Sequence, residues 1–482
     1  MLSRPRALGP LVVLFTAGYL APYLLPTVVG RLSAGLGLTP AQAGLVGSVL
    51  LLASAAAGFT LAARVERFGP RRAARAGLLA MCVGYGAAAL TASVPLVIGG
   101  AVVGGFGSGT TLAVAAAGIA AQQDPHRAST LGLLSVSATA GALYLTLPNL
   151  GGGHALPFAS IALAAALVWP LTGGLAGGTG GAGQSSGTAG KASRHTETLS
   201  RDDRPAETPS WADRHVEAPS RTDHRVETPG KGSPLPHRRS GLVLAAAILL
   251  WSMAQNALWG VSGRIGITQA GLGEVTVGAI FAVALGAGLA GVTAAGALGS
   301  RLGRAVPIGA GTAIIAGCVL VSSSAGSLPA FATGEILWNL FYPVVLSYLL
   351  GLAASLDPRG RWAVLVGSAS SLGVACGPVV GSVLSEQAGY PGMGVALCAL
   401  LLLVAGPMTA VALHTSGRPL VPGSVRRRGG APAAVLAGTT TAATGLVPQM
   451  GAPEQEVTEI PLRARRRADR RAFRLARPSD RG

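Results

Sequence analysis

One acidic residue lies inside an apolar stretch that is long enough to cross a membrane. Glu335 falls within residues 328–352, and Trp338, Asn339 and Tyr342 follow it at helical spacing. Residues at these spacings share one face of a helix. A polar group that faces lipid is costly, so such a face normally meets protein or a water-filled cavity. The pattern predicts a binding face inside the membrane.

The chemistry of a carboxyl group at this depth is proton exchange or recognition of a cation. Burial disfavours the charged form of a carboxylic acid, which suits it to exchanging protons near neutral pH. We predict that Glu335 binds either a coupling proton or a cationic group of the substrate. The alternative is a structural role, as a protonated acid hydrogen-bonded to a neighbour such as Asn339.

Long apolar stretches recur along the chain and are the elements that position these residues. Hydrophobic residues make up 50% of the 482 and charged residues only 12%, against about 25% charged residues in soluble proteins. Each stretch has about 20 residues, enough to cross a hydrocarbon core of roughly 30 Å as a helix. No alternating strands typical of a barrel occur. The sequence therefore predicts an all-α membrane protein whose spans are residues 7–30, 42–63, 73–93, 95–121, 128–149, 155–173, 241–262, 274–298, 306–325, 328–352, 362–384 and 390–413.

The twelve spans fall into two sets of six, separated by a long polar loop. The loop holds a ten-residue repeat, in which Arg194, Arg204 and Arg214 recur in register. Its composition favours a disordered linker over a partner-binding array. The predicted domains are a six-helix bundle (1–173), a cytoplasmic disordered linker (174–240), a second six-helix bundle (241–414) and a basic disordered tail (415–482).

The distribution of basic residues predicts the orientation in the membrane. Of the 37 Lys and Arg residues, only Arg31 and Arg264 fall on the side opposite the termini, so both termini are predicted to be cytoplasmic. We expect a multi-pass protein of a bacterial inner membrane. The net charge of +18 lies in loops and the tail without a folded basic domain, so nucleic acid is not an expected partner. The basic tail either binds lipid headgroups or anchors the topology.

The sequence contains no motif for metal binding, for enzymatic catalysis or for nucleotide binding. The four cysteines are scattered singly in apolar segments, which predicts neither disulfides nor a metal site. We find no catalytic triad, HExxH motif or Walker A loop, so we expect no enzyme, no cofactor and no ATP-driven transport.

Two loops at equivalent places in the two halves share one pattern. Residues 62–72 read AARVERFGPRR and residues 296–304 read GALGSRLGR. Both have a small residue, a polar residue four positions later, then Arg-x-Gly and basic residues. The pattern resembles the loop signature Gly-x-Leu-x-Asp-Arg-x-Gly-Arg-Arg of the major facilitator superfamily. The departures are Ala62, Glu66 and Pro70 in the first copy and Ser300 in the second. Two copies in register fit a duplicated unit.

In that family the loop acts as a latch that biases the outward-facing state. Glu66 and Arg67 can form charge-assisted bonds between the halves on the inner side. For the flanking arginines the alternative is plain positive-inside anchoring. The residues assigned to the latch are Glu66, Arg67, Gly69, Arg71, Arg72, Gly296, Ser300, Arg301, Gly303 and Arg304.

A second resemblance lies in the eleventh span, where residues 373–381 read GVACGPVVG. It is similar to the GxxxGPxxG pattern that antiporters of the family carry in their fifth span. Because it lies in the other half here, we interpret Gly373, Gly377, Pro378 and Gly381 as a helix-packing site. The arginine of the family's fourth span, important in many drug antiporters, would fall at Ala101.

The resemblance implies that spans 1, 4, 7 and 10 line a central cavity. Each of these spans carries polar or aromatic residues at helical spacing. The predicted cavity residues are Thr16, Tyr19, Tyr23, Ser108, Thr111, Trp251, Gln255, Asn256, Trp259, Trp338, Asn339 and Tyr342.

These observations predict a secondary transporter of a small organic molecule that works by alternating access. An aromatic pocket with one acid favours proton-coupled efflux of a drug or metabolite. One alternative is uptake of a small metabolite by proton symport, and another is a non-transporting membrane scaffold or sensor. The expected partners are the substrate, protons and membrane lipid, and we expect a monomer.

Overall fold

The computed structural model describes residues 8–61, 69–122, 124–151, 153–175, 236–299, 302–357 and 360–416. Every regular element in these ranges is a helix. The helices of the first half are α1 (Leu8–Tyr23 and Leu25–Leu36), α2 (Pro40–Leu61), α3 (Pro70–Leu90), α4 (Val94–Ala120), α5 (Pro125–Thr146) and α6 (Ala155–Val168). Those of the second half are α7 (Arg238–Arg264), α8 (Glu274–Leu298), α9 (Ala305–Ser323), α10 (Leu328–Ser355) and the helix Arg361–Ser416, divided at Gly389 into α11 and α12.

The helices have the length and apolarity that crossing a membrane requires. Ten described helices meet these criteria, and the two parts of α1 meet them together. The longest helix, Arg361–Ser416, contains Gly389 at a φ of 69°, a left-handed conformation that glycine adopts readily. This break separates two spans. The prediction of an all-α membrane protein is confirmed, with ten to twelve apolar helices in the described residues. The predicted linker lies outside the described residues except at its ends, and the predicted basic tail lies almost entirely outside them.

Proline chemistry explains the bend of 47° between the two parts of α1. Pro26 has no N–H, so the carbonyl of Pro22 loses its partner one turn earlier in the helix. That carbonyl accepts a hydrogen bond of 3.2 Å from Trp259 Nε1 in α7. The bend therefore exposes a backbone acceptor that joins the first half to the second.

Small residues let the helices within each half approach at backbone distance. A Cβ atom on Gly107 of α4 would lie 2.6 Å from the carbonyl oxygen of Gly77 in α3, closer than any real contact of that kind. Helices without bulky side chains at their contacts pack closely in membranes. The abundant glycine of the sequence is thus used in helix packing.

The two halves meet most closely at the end of the bundle where α1 ends and α2 begins. We call this the far end, because it lies opposite the end where α1 begins and α12 finishes. There the Val379 N–H of α11 donates a 2.9 Å hydrogen bond to Ser48 Oγ of α2. The rings of Tyr144 in α5 and Phe281 in α8 are 5.0 Å apart. The far end is closed in this structure.

Candidate functional site

A cavity lies between the two halves at the middle of the bundle. The space between its lining atoms is about 600 Å³, part of it open to solvent. Five helices line it: α1, α5, α7, α8 and α10. The lining residues are Pro22, Tyr23, Leu133, Ser137, Asn256, Trp259, Leu285, Gly288, Leu289, Val292, Trp338, Asn339, Tyr342 and Pro343.

Aromatic rings of the second half form one wall of the cavity. The ring centroids of Trp259 and Trp338 are 5.6 Å apart, and those of Trp338 and Tyr342 are 6.0 Å apart. Behind them, Trp251 stacks on Tyr342 at 5.3 Å with an interplanar angle of 11°. Offset and tilted ring pairs of this kind are favourable and rigid. The wall presents flat apolar faces to whatever enters.

The polar groups of the cavity are neutral. The hydroxyls of Tyr342 and Tyr23 hydrogen-bond Asn256 and Ser137, respectively. Asn339 Nδ2 donates to the backbone carbonyl of Glu335 at 3.0 Å. No charged side chain occurs among the lining residues in the described part of the chain. The site therefore offers aromatic surface with amide and hydroxyl groups for orientation.

Glu335 lies behind this wall, inside the second half. It is fully buried, and its Oε1 accepts hydrogen bonds from Ser262 Oγ of α7 at 2.8 Å and Ser322 Oγ of α9 at 2.6 Å. Its Oε2 is buried and has no hydrogen-bond partner among the described residues. The carboxyl group therefore joins α7, α9 and α10 through its Oε1.

The structure brings together about half of the predicted cavity residues. Tyr23, Asn256, Trp259, Trp338, Asn339 and Tyr342 line the cavity. Trp251 and Gln255 are fully buried directly behind it, and Trp338 Nε1 donates to Gln255 Oε1. Glu335 shares the helix α10 with four lining residues but is not in the lining, because its side chain turns towards α7 and α9.

The predicted residues of α4 lie elsewhere. Ser108 hydrogen-bonds the Tyr85 hydroxyl of α3 at 3.0 Å, and the Thr111 hydroxyl contacts Met81 of the same helix. Both are fully buried inside the first half. Buried hydroxyls are normally satisfied by a local partner, and α3 supplies it. Neither residue is among those that line the central cavity, and a role of Ser108 and Thr111 in substrate binding stays a prediction.

The predicted residues nearer the start of α1 also face their own half. Thr16 Oγ1 donates to Ser135 Oγ of α5 at 2.8 Å. The Tyr19 ring packs 4.5 Å from the Phe15 ring, and only 1% of Tyr19 is exposed. Neither is part of the cavity lining.

Sequence reasoning missed the contributions of α5 and α8. The α8 residues Leu285, Leu289 and Val292 are apolar, so a search for polar stripes passes over them. Ser137 of α5 is polar, but it lies among other small residues without helical periodicity. The bent α1 and the close pair α5–α8 bring these residues to the cavity, which no single-helix pattern encodes.

A second cavity, which we call the far-end vestibule, lies between the halves at the far end. Its lining includes Thr27 and Arg31 of α1, Arg264 of α7, Thr268 just after it, and Glu274 of α8. Arg31 and Glu274 form an ion pair of 3.0 Å across the halves. The vestibule is charged where the central cavity is neutral.

The glycine–proline segment of α11 packs against α7 and α2. A Cβ atom on Gly377 would lie 2.7 Å from the backbone of Asn256, and Gly373 and Gly381 also face α7 backbone. Pro378 faces the first half, 3.5 Å from where a Cβ on Gly47 of α2 would stand. The glycines of this segment therefore lie where α7 and α11 approach each other, and its assignment as a helix-packing site stays a prediction.

The predicted latch is described only in part. Glu66, Arg67, Ser300 and Arg301 lie outside the described residues. Gly69 and Gly303 have φ values of 83° and 68°, as tight turns require. Arg304 Nη1 donates to Ser355 Oγ at 2.6 Å, within its own half. The flanking arginine Arg71 lies beside Gly173, also in its own half.

The remaining latch positions, Arg72 and Gly296, lie at the exposed end of α3 and near the end of α8. Arg72 is exposed. A Cβ on Gly296 would meet no atom within 4 Å among the described residues. A contact between the halves at this end stays a prediction.

Comparison with known proteins gives a matching family and similar solved structures. The model of the Major Facilitator Superfamily matches residues 11–361. The crystal structure of the human organic anion transporter MFSD10 (TETRAN) superposes with a TM-score of 0.55 at 18% identity, covering 84% of this chain and 100% of that one. The POT family transporter PepTSo superposes with a TM-score of 0.58 at 13% identity, covering 86% and 97%. At these identities the structures support the fold alone. No curated protein sequence matches the chain.

Proposed function

The chain belongs to the major facilitator superfamily, and on that premise we propose that it exports a small amphipathic organic molecule in exchange for protons. Membership of this family supports a secondary transporter of the membrane. The substrate class, the coupling ion and the direction are the proposal.

The observation that carries the proposal is the aromatic cavity between the halves. Trp259, Trp338 and Tyr342 offer flat apolar surface, and Asn256 and Asn339 offer amides. Aromatic faces bind apolar and cationic groups alike, while a few polar groups fix orientation. A molecule with an aromatic or aliphatic body and one or two polar groups fits this lining.

Glu335 is the candidate for proton coupling. Its carboxyl group lies inside a membrane-spanning helix, one helical turn from Trp338 on the same helix. A carboxyl that gains or loses a proton changes the strength of the hydrogen bonds that its Oε1 accepts from Ser262 and Ser322. Because these serines belong to α7 and α9, protonation of Glu335 alters contacts among the helices that carry the cavity wall. Protonation and substrate occupancy are thereby linked.

The closed far end indicates which state of the transport cycle this structure represents. Alternating access rocks the two halves about a central site. With the termini in the cytoplasm, as the basic residues predict, the far end faces outward, in a bacterial inner membrane. The structure then corresponds to an inward-facing state, in which a substrate enters the central cavity from the cytoplasm.

The test is proton flux in everted membrane vesicles that contain the protein. A quenchable pH dye reports the acidic interior, and a panel of amphipathic cations and small metabolites is added in turn. We expect substrate-dependent loss of the proton gradient with wild-type protein and none with Glu335→Gln. Flux that is unchanged by Glu335→Gln would overturn the assignment of the proton site.

Two other functions give different results in the same assay. Uptake by proton symport would need a metabolite gradient and would acidify the compartment that receives the substrate. A scaffold or sensor would show no flux, would tolerate loss of Trp338, and would lose its function when residues 185–235 are deleted. That deletion should leave a transporter active.

A further inference from the structure

The far-end vestibule buries two arginine side chains. Arg31 and Arg264 both line it, and they are only 7% and 8% exposed. The one acid of the described lining is Glu274, whose side chain is 50% exposed. Burying a guanidinium is expensive unless its N–H groups are paired. The balance of buried charge in the vestibule is positive.

Both terminal nitrogens of the Arg31 guanidinium donate hydrogen bonds to protein acceptors. Its Nη1 donates to the carbonyl of Gly151 at 2.8 Å, and its Nη2 donates to the carbonyl of Leu147 and to Glu274 Oε2, each at 3.0 Å. The two carbonyls belong to the first half and fix the guanidinium in place. The carboxylate partner is half exposed, so an incoming anion can replace it without leaving a buried charge behind.

The donors of Arg264 are not all used. Its Nη2 donates to Ser382 Oγ of α11 at 3.1 Å. Its Nε is buried and has no hydrogen-bond partner in the described part of the chain. Glu386 acts on Arg264 electrostatically, but its Oε2 accepts the Ala41 N–H at 3.1 Å. A buried N–H without a protein partner is uncommon, and this one is available to an acceptor that enters the vestibule.

The two arginines come from opposite halves and are neighbours across the interface. A Cβ atom on Gly30, the residue before Arg31, would lie 4.0 Å from Cγ of Arg264. Hydroxyls of Thr27 and Thr268 line the same space, and the vestibule holds about 900 Å³ of empty volume, part of it open to solvent. Guanidinium groups match the two oxygens of a carboxylate or phosphate. We propose that the far-end vestibule binds a small oxyanion between Arg31 and Arg264.

The position of the site between the two halves means that a bound anion would affect their relative movement. An oxyanion held by Arg31 of α1 and Arg264 of α7 joins the two halves where they are closed. When the far end opens, the arginines separate and the site is lost. A ligand that binds one state better shifts the population towards it, so the anion stabilises the state with a closed far end.

The test is calorimetric titration of the purified full chain in detergent with three probes: benzoate, inorganic phosphate and the neutral benzamide. We expect benzoate or phosphate to bind and benzamide not to bind. Binding of benzoate alone would identify an organic carboxylate site, and binding of phosphate alone would identify an inorganic anion site. Both results support the proposal.

Three variants test the location of the site. Arg264→Gln should weaken anion binding at least tenfold, because it removes the unpaired donor and the charge. Arg239→Gln, an exposed position at the other end of the same helix, changes net charge equally and should leave the affinity unchanged. Glu274→Gln should strengthen binding severalfold, because it frees Arg31 and removes the competing carboxylate.

Three outcomes would overturn the proposal. The first is the absence of binding by either anion, and the second is binding that is equally strong in Arg264→Gln and the wild type. A weaker anion affinity in Glu274→Gln would also contradict it and guards against a misfolded Arg264 variant. The titration contains no transported substrate, so it succeeds or fails independently of the proposed export function.

Discussion

The two halves have the same number of helices and matching loop patterns, but they place their polar residues differently. In the second half, the rings and amides of α7 and α10 face the central cavity, and Glu335 lies directly behind them. In the first half, the hydroxyls of α4 turn towards α3. Duplication explains the shared scaffold. Most aromatic and amide groups of the cavity belong to the second half. The first half contributes the opposite side of the lining, with Tyr23 and Ser137.

The largest expected effect comes from removing an aromatic ring from the second half. Trp338→Ala should weaken substrate binding by about 30-fold or more, because a central tryptophan often contributes over 2 kcal/mol. The measurement is equilibrium binding of whichever compound produces proton flux. The matched control is Trp169→Ala, which removes a tryptophan of the first half away from the cavity. Equal losses in the two variants would erase the contrast between the halves.

The next effect concerns the surface where the halves touch. A Cβ on Gly44 of α2 would lie 2.6 Å from the carbonyl oxygen of Pro378 in α11. Gly44→Val should therefore force the far ends apart and raise the population of the open state about tenfold or more.

The measurement is the labelling rate of a cysteine at Ser33, which lines the far-end vestibule, in a background without the native cysteines. Gly86→Val is the control, since a Cβ there meets no atom within 4 Å among the described residues. A labelling rate that rises equally in both variants would show that the close contact at Gly44 does not hold the far end closed.

A smaller effect is expected at the partners of Glu335. Ser262→Ala removes one of the two hydroxyls that donate to Glu335 Oε1. It should lower the free energy of unfolding by about 1–3 kcal/mol, the cost of a lost buried hydrogen bond to an acid. Proton flux should fall severalfold. Thermal denaturation in detergent measures the stability, and the vesicle assay measures the proton flux. A proton flux equal to that of the wild type would show that Ser262 has no role in proton coupling.

The smallest effect is expected in the first half. Ser108→Ala removes the hydroxyl that pairs with Tyr85, which costs about 1 kcal/mol of stability. Transport and substrate affinity should stay within about twofold of the wild type, since no contact with the cavity is lost. A large loss of substrate affinity would place α4 at the site after all.

The sequence determined the fold more completely than the site. Apolar length predicts each span because the membrane fixes how long a helix must be. The faces of α7 and α10 were also readable, since their rings and amides recur at helical spacing. The neighbour that each side chain contacts could not be predicted in this way. Glu335 and Trp338 share a helix face within one turn, yet their side chains contact different residues. That choice depends on Ser262 and Ser322, which come from distant parts of the chain.

The charged far-end vestibule was invisible for a related reason. Arg31 and Arg264 stood out only as basic residues on the side opposite the termini. Their meeting depends on the bend of α1 and on the close approach of α1 to α7. Such contacts between halves belong to one state of a moving protein, so no local pattern specifies them.

The most direct test of the account is proton release when substrate binds to the purified protein in weakly buffered detergent solution. If substrate and proton exchange through Glu335, the wild type should release about half a proton for each substrate bound at the pH of half-protonation, and about one proton at a lower pH, where the free protein is fully protonated. Glu335→Gln should bind the substrate with similar affinity and release none. Equal proton release by the two proteins, or no release by the wild type, would contradict the claim that Glu335 couples the cavity to protons.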